Sequence, residues 1–181
     1  MDLTETTLSG EYAFCGKLLK LRVDQARLPD GSVASREVVE HPGGVGIVPL
    51  TENGEVLLVR QYRYPYGEVL TEIPAGKRDP GEEPLVTGKR ELEEETGMQA
   101  AVFEPLGKLY PSPGYFNEVI YLYLATGLTA TAAHPDEDEF LDVIRMPLAD
   151  AVRLVLDGTI TDAKTQIALL KVWQYQNGGT V

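Results

Sequence analysis

The sequence predicts an α+β fold in which strands dominate and a few helices pack on them. Three observations point there. Short apolar or alternating runs recur along the chain, each bounded by Gly, Pro, Asn or Asp. Two turn signals, Pro29-Asp30-Gly31 and Asn53-Gly54, lie between such runs. Helical periodicity with start or stop signals is confined to stretches beginning near Pro84, Leu148 and Asp162.

Residues 1 to 10 are polar and are expected to fray. From Gly16 the pattern alternates: Leu19, Leu21 and Val23 are apolar, with Lys20, Arg22 and Asp24 between them, as in a half-buried strand. After the Pro29-Asp30-Gly31 turn, Arg36 to Glu40 returns as a second strand. Residues 1–42 therefore read as a β-hairpin extension, and residues 43–177 as the main domain. His41-Pro42-Gly43-Gly44 breaks the chain. Val45 to Leu50 is a near-continuous apolar strand, and Asn53-Gly54 predicts a hairpin to a partner running from Val56 to Arg63. Tyr62, Tyr64, Pro65 and Tyr66 cluster next in a loop, the three tyrosines reading as strand-edge packing. Val69 to Ile73 is a short strand, and Ala101 to Tyr110 another.

Pro111-Ser112-Pro113-Gly114-Tyr115 cannot be regular structure. Val119 to Ala125 is a strand, 126–139 a loop ending in four acidic residues, and Phe140 to Arg145 a strand. Leu148, Ala151, Val152 and Val155 make an amphipathic helix stopped by Gly158. Asp162 caps a last helix whose buried stripe is expected at Ala163, Ile167 and Leu170.

Composition excludes several classes. At 181 residues and 43% apolar, the chain can build a core and is not disordered. A net charge of −12 disfavours nucleic acid, because phosphate backbones need a basic surface. No apolar run approaches a membrane span, and the N-terminus lacks a signal-peptide pattern. The single cysteine, Cys15, excludes an internal disulfide and reads as a half-buried strand residue. These features together favour the cytoplasm. His41 and His134, with one cysteine, make no zinc pattern and read as plain loop residues.

The chemistry concentrates in Ala75 to Met98, AGKRDPGEEPLVTGKRELEEETGM. Pro84 suits the first turn of a helix and Gly97 its end. Leu85, Gly88 and Leu92 give a narrow apolar face. Glu91, Glu94 and Glu95 crowd a neighbouring one, and Arg90 is four residues from Glu94. A solvated helix spaces Lys or Arg against its Glu, and like charges at i, i+4 cost a few tenths of a kcal/mol per pair, roughly. The crowding makes sense if a hard divalent cation neutralises it, since Mg²⁺ and Mn²⁺ take oxygen ligands. Gly76 and Gly81 let backbone carbonyls turn inward beside it.

This stretch also resembles the Nudix box: Gly76, five residues, Glu82, seven residues, then Arg90-Glu91-Leu92-any-Glu94-Glu95-any-Gly97-Met98. One departure is Gly88, where the family more often has Ala. The chain is similar over nearly its full length to bacterial ADP-ribose pyrophosphatases of the Nudix superfamily. Further marks are the N-terminal hairpin, Glu72-Ile73-Pro74-Ala75-Gly76, the Ser112-Pro113-Gly114 loop and the acidic loop before Phe140. Ser-Pro-Gly favours Pro113 over Pro111 as the loop proline that marks ADP-ribose enzymes.

The resemblance implies an α/β/α sandwich with a mixed sheet. It implies that the backbone carbonyl of Ala75, with Glu91 and Glu95, binds Mg²⁺ (or Mn²⁺), and that Glu94 supports the cluster or binds a further ion. Arg90 would orient the helix carboxylates. Glu139 matches a loop carboxylate that reaches the metals and Glu137 the proposed general base; a two-residue shift of the loop exchanges them. Arg63 matches an arginine on the diphosphate. Ser112, Gly114 and Glu118 match the segment around the terminal ribose. Arg36 and Glu37 lie on the hairpin, which in this family swaps between subunits of a homodimer and helps hold the adenine; no adenine-stacking aromatic on the hairpin has a clear counterpart here. The implied activity is Mg²⁺-dependent hydrolysis of ADP-ribose to AMP and ribose 5-phosphate. Two rivals are a pyrophosphatase acting on another nucleoside diphosphate sugar, and a non-catalytic nucleotide-sugar sensor. A sensor would be marked by a decayed box or an appended basic domain, and neither is present.

Overall fold

The structure is a computed structural model that describes residues 1–131 and 140–178. These residues fall into two compact units: Met1–Gly43 with Tyr110–Val119, and Gly44–Leu109 with Ile120–Val181.

The first unit is an antiparallel sheet of β1 (Thr6–Cys15), β2 (Lys20–Arg27) and β3 (Val33–Glu40), in the order β1-β2-β3. The expected hairpin is β2–β3. Its turn takes Gly31 at φ 87°, and the Asp30 carboxylate accepts the Ser32 N–H at 2.9 Å. Of the residues expected to fray, 6–10 instead form the first half of β1. That strand is exposed throughout, and Cys15 at its end is exposed, not half-buried. The inner face also differs from the apolar alternation. Asp24 and Ala26 are the buried residues of β2, because Arg22 forks onto the Asp24 carboxylate from Nε and Nη2 at 2.8–2.9 Å. Gly10 makes room for it: a Cβ there would lie 2.1 Å from Asp24 Oδ1.

The segment after Tyr110 joins this sheet. Val39 donates its N–H to the Tyr115 carbonyl at 2.7 Å, and Asn117 donates to the Val39 carbonyl at 3.1 Å, so Phe116 bridges to Val39 in parallel.

The second unit carries β4 (Gly44–Pro49), β5 (Glu55–Arg63), β6 (Glu68–Glu72), β7 (Ala75–Lys77), α1 (Pro84–Thr96), β8 (Met98–Leu109), β9 (Ile120–Ala130), β10 (Leu141–Pro147), α2 (Leu148–Leu156) and α3 (Ala163–Gln176). One sheet is β7-β4-β9-β8, mixed, with β4 parallel to β9; the other is antiparallel β10-β5-β6. Side chains alternate across β4. Val45 and Ile47 pack with Leu92 of α1 and Ala125, while Val48 joins a larger core with Leu58, Ile73, Leu122 and the apolar faces of α2 and α3. Helix α1 thus covers one side of the mixed sheet, and α2, α3 and the second sheet cover the other.

Three expectations are corrected. Asn53-Gly54 does turn the chain, with Gly54 at φ 75°, but β4 and β5 share only the bridge Leu50–Val56 before entering different sheets. Tertiary pairing with β9 and β10 outweighs the local hairpin signal. The buried stripe of α3 is Thr165, Ala168, Leu169 and Val172, whereas Ala163, Ile167 and Leu170 are exposed. Its cap sets the rotation: Asp162 accepts the Thr165 N–H at 2.9 Å, and Thr165 Oγ1 accepts the N–H of Ile73, the residue after β6, at 2.9 Å. Tyr62, Tyr64 and Tyr66 are exposed rather than packed. By contrast, α2 buries the four predicted residues, Leu148, Ala151, Val152 and Val155.

Candidate active site

Helix α1 begins with Pro84 and ends with Gly97 in the left-handed region at φ 63°, its N–H closing onto the Glu93 carbonyl at 2.9 Å. Its buried residues are Thr87, Gly88, Glu91, Leu92 and Glu95, and Leu85 is exposed. Two of the carboxylates therefore lie on the same inward face as Leu92, whose full burial contributes about 2 kcal/mol. Gly88 sits against β4: a Cβ there would meet Val45 at 3.2 Å, so the glycine permits a close helix–strand approach.

The inward carboxylates converge on the start of β7. Ala75 donates its N–H to Glu95 Oε2 at 3.0 Å. The Glu91 carboxyl group occupies the space where a Gly76 side chain would begin; a Cβ at Gly76 would lie 2.0–2.2 Å from its carbon and both oxygens. Arg90 ties the group together. Its Nη1 donates to Glu91 Oε1 and Glu94 Oε2, both at 2.8 Å, and its Nη2 to the Lys77 carbonyl at 3.1 Å. Burial opposes its charge, but Glu82, Glu91 and Glu94 together hold the guanidinium pKa above its ordinary value.

Glu82 is the residue whose part the sequence left unassigned. It accepts from the Thr87 hydroxyl at 2.7 Å, from the Asp79 N–H at 3.2 Å and from Arg90 Nη2 at 3.3 Å. Thr87 first, then Arg90 and Asp79, pull its pKa down to about 2. It closes the loop in front of α1 and holds Arg90 over the carboxylates.

Arg63 ends β5. It forks onto Glu72 through Nε at 2.6 Å and Nη2 at 2.7 Å. Glu72 is 1% exposed. Burial pushes its pKa up, yet Arg63 and Lys164 override that and hold it at about 2. Lys164 also lies 3.1 Å from Asp162 Oδ1. Nothing in the local sequence announces this group, because Lys164 is 92 residues from Glu72. The one hint is an acidic residue, Glu72, between Val69-Leu70-Thr71 and Ile73.

In the other unit, Ser112 accepts the N–H groups of Tyr115 and Phe116, so Ser112-Pro113-Gly114 is a turn, and Gly114 faces open space. Glu118 Oε1 lies 3.1 Å from His41 Nδ1, which is also 3.1 Å from the Gly43 N–H. The Gly43 N–H donates to this ring nitrogen. His41, expected as a plain loop residue, also meets Phe116 edge-on at 5.6 Å. Arg36 pairs with Glu5 through Nε and Nη2 at 2.8 and 2.6 Å, and Glu37 is exposed. Glu137, Glu139 and His134 lie outside the described residues.

A family model described as the NUDIX domain matches residues 40–169, and one described as the nucleoside diphosphate sugar hydrolase N-terminal domain matches residues 5–39. The chain belongs to the Nudix hydrolase superfamily. Among relatives, it is 44% identical over 167 residues to a methanol dehydrogenase activator of Bacillus methanolicus, covering 91% of this chain and 90% of that one. It is 41% identical over 170 residues to an ADP-ribose pyrophosphatase of Bacillus subtilis, covering 93% and 92%. A crystal structure of an ADP compounds hydrolase superposes with a TM-score of 0.83 at 26% identity, covering 99% of this chain and 100% of that one.

Nudix ADP-ribose pyrophosphatases in general depend on a divalent metal. Among the described residues no three His, Cys, Asp or Glu side chains form an all-side-chain metal centre. The available set is two inward carboxylates, Glu91 and Glu95, set against the Ala75–Gly76 backbone. These are hard oxygen donors, and the Gly76 cradle that Glu91 fills fits a site where backbone and carboxylate ligands must come close together.

Proposed function

We propose that the protein hydrolyses the diphosphate of ADP-ribose with Mg²⁺, giving AMP and ribose 5-phosphate. The observation that carries this reading is the convergence of Glu91 and Glu95 on Ala75–Gly76 within a complete Nudix box. The 41% identity to a named ADP-ribose pyrophosphatase supports the choice of substrate.

In this reading Glu91, Glu95 and the Ala75 carbonyl hold the cation, and Glu94 supports them. A bound divalent cation would take up charge on the phosphate oxygens and lower the pKa of a coordinated water. Arg90 keeps the helix carboxylates aimed by pairing with Glu91 and Glu94 at once, while Glu82 holds the guanidinium from the loop before the helix. Arg63 grips the diphosphate: its Nε and one Nη2 proton are occupied by Glu72, and the rest of the fork is available to a phosphate oxygen. Ser112, Gly114 and Glu118 contact the terminal ribose, and Arg36 and Glu37 the adenine side. One of Glu137 and Glu139 acts as base and the other serves the cation. The protein works as a cytoplasmic homodimer through the N-terminal strands; a monomer by light scattering at micromolar concentration would remove that part.

The test is product analysis with ADP-ribose, with and without Mg²⁺, beside a GDP-sugar, a dinucleoside polyphosphate and a nucleoside triphosphate. Metal-dependent release of AMP, with ADP-ribose preferred, is the expected result. Preference for another diphosphate would keep the chemistry and overturn the substrate. Binding without turnover of any of them would restore the sensor.

A further inference from the structure

The segment from Glu72 to Ala75 leads from the diphosphate-gripping arginine to the proposed metal ligands, and it is held at three successive points. Glu72 is bound by Arg63 and Lys164. Ile73 donates its N–H to Thr165 Oγ1 at 2.9 Å. Ala75 donates its N–H to Glu95 at 3.0 Å. The first two of these holds involve the first turn of α3, which makes no contact with the Nudix box itself in any of these bonds.

That turn is itself tightly organised. Asp162 accepts from the Thr165 N–H at 2.9 Å and from the Thr165 hydroxyl at 2.6 Å. With its own proton given to Asp162, the Thr165 oxygen is left as an acceptor for Ile73. Asp162 Oδ1 also lies 3.1 Å from Lys164 Nζ. Lys164 is only 11% exposed at its side chain, so its ammonium contacts Glu72 from the inside, on Oε2, the oxygen that also receives Arg63 Nη2. Arg63 and Lys164 together balance Glu72 and Asp162, and a neutral four-charge group results. Arg63 already spans both Glu72 oxygens; without Lys164 it would be the one cation left for that buried carboxylate, and more of its charge would be held there.

We propose that Lys164 is a positioning residue for substrate binding: by sharing the charge of Glu72 at Oε2, it keeps the Arg63 guanidinium partly exposed, with one edge on Glu72 and the rest turned to the diphosphate. The inference rests on the diphosphate-gripping reading of Arg63 given above. It names a residue in the last helix that no motif reveals, acting through Glu72 and not by contact with substrate.

The experiment compares wild type, Lys164→Met, Lys164→Arg, Arg63→Ala and the double variant Arg63→Ala/Lys164→Met. Three quantities are read: kcat and KM for ADP-ribose, ADP affinity by titration calorimetry, and Mn²⁺ affinity by electron paramagnetic resonance. Lys164→Met is expected to weaken ADP binding and raise KM about tenfold with Mn²⁺ affinity unchanged. Lys164→Arg, which restores a cation, should recover most of the loss. The double variant should be no worse than Arg63→Ala, because Lys164 acts through Arg63. Multiplying losses in the double variant, or ADP affinity for Lys164→Met within twofold of wild type, would overturn the inference. If Lys164→Met does not fold, failure of Lys164→Arg to retain ADP affinity within a few-fold would overturn it alone. Should wild type bind ADP but not hydrolyse ADP-ribose, the substrate reading falls while the ADP titrations still decide the part played by Lys164.

Discussion

Replacing Gly76 by Ala separates what the site needs from what the fold needs. The new Cβ would stand 2.0 Å from the Glu91 carboxyl carbon, against an ordinary contact of 3.4 Å, so the carboxylate must withdraw by about 1.4 Å. Gly76 is not among the glycines with positive φ, so alanine meets no backbone strain there. The obstacle is the far end of a flexible side chain, which can rotate away. The fold therefore loses about the worth of a charge-assisted hydrogen bond such as the Arg90–Glu91 contact, roughly 2 kcal/mol. The chemistry loses more, since a displacement of about 1 Å in a catalytic group costs on the order of 100-fold in rate. The assay is kcat for ADP-ribose against Mg²⁺ concentration, with Mn²⁺ affinity and thermal unfolding measured on the same preparation. A folded variant with kcat down about 100-fold and weakened metal binding is expected. Wild-type kcat and metal affinity in a folded Gly76→Ala variant would refute the view that Glu91 must rest on the Gly76 backbone.

Three further outcomes follow from the same geometry. Glu95→Gln keeps an oxygen to accept the Ala75 N–H but loses the charge, so turnover should fall more than about 100-fold with thermal stability nearly unchanged; retained activity would take Glu95 out of the mechanism. Thr165→Val leaves the buried Ile73 N–H without its acceptor, which should cost about 1–3 kcal/mol and lower Tm by several degrees in calorimetry; an unchanged Tm would show that the bond is dispensable. Glu72 has its carboxyl pKa lowered from 4.5 to about 2 in the folded state. Its stabilising contribution, on the order of 3 kcal/mol, is therefore complete above pH 4.5 and is lost as pH falls toward 2. Glu72→Gln should flatten the acid limb of the denaturant-midpoint profile across that window, and an unaltered slope would refute the assignment.

The strand-rich α+β class, the limits of α1, the inward face of α2 and the box that names the superfamily are legible from the residues alone. These are local matters. Pro84 and Gly97 bound a helix by their own backbone preferences, and the spacing of Glu91 and Glu95 puts both on one side of it whatever surrounds them. Tertiary structure decided what no local preference encodes. Asn53-Gly54 makes its turn, yet β4 and β5 part into different sheets because β9 and β10 offer longer ladders. Apolar residues on α3 suit more than one face, and the bond from Ile73 to Thr165 chooses among them. Residues 1–10 look too polar to order, but buried Asp24, paired with Arg22 beside Gly10, gives β1 a strand to lie on. Arg63 carried no sign of its partner, since the cation that shares Glu72 with it comes from a helix a hundred residues later. A buried charge can be stable only where the chain brings opposite charges and hydrogen bonds to it, and that meeting is a property of the fold.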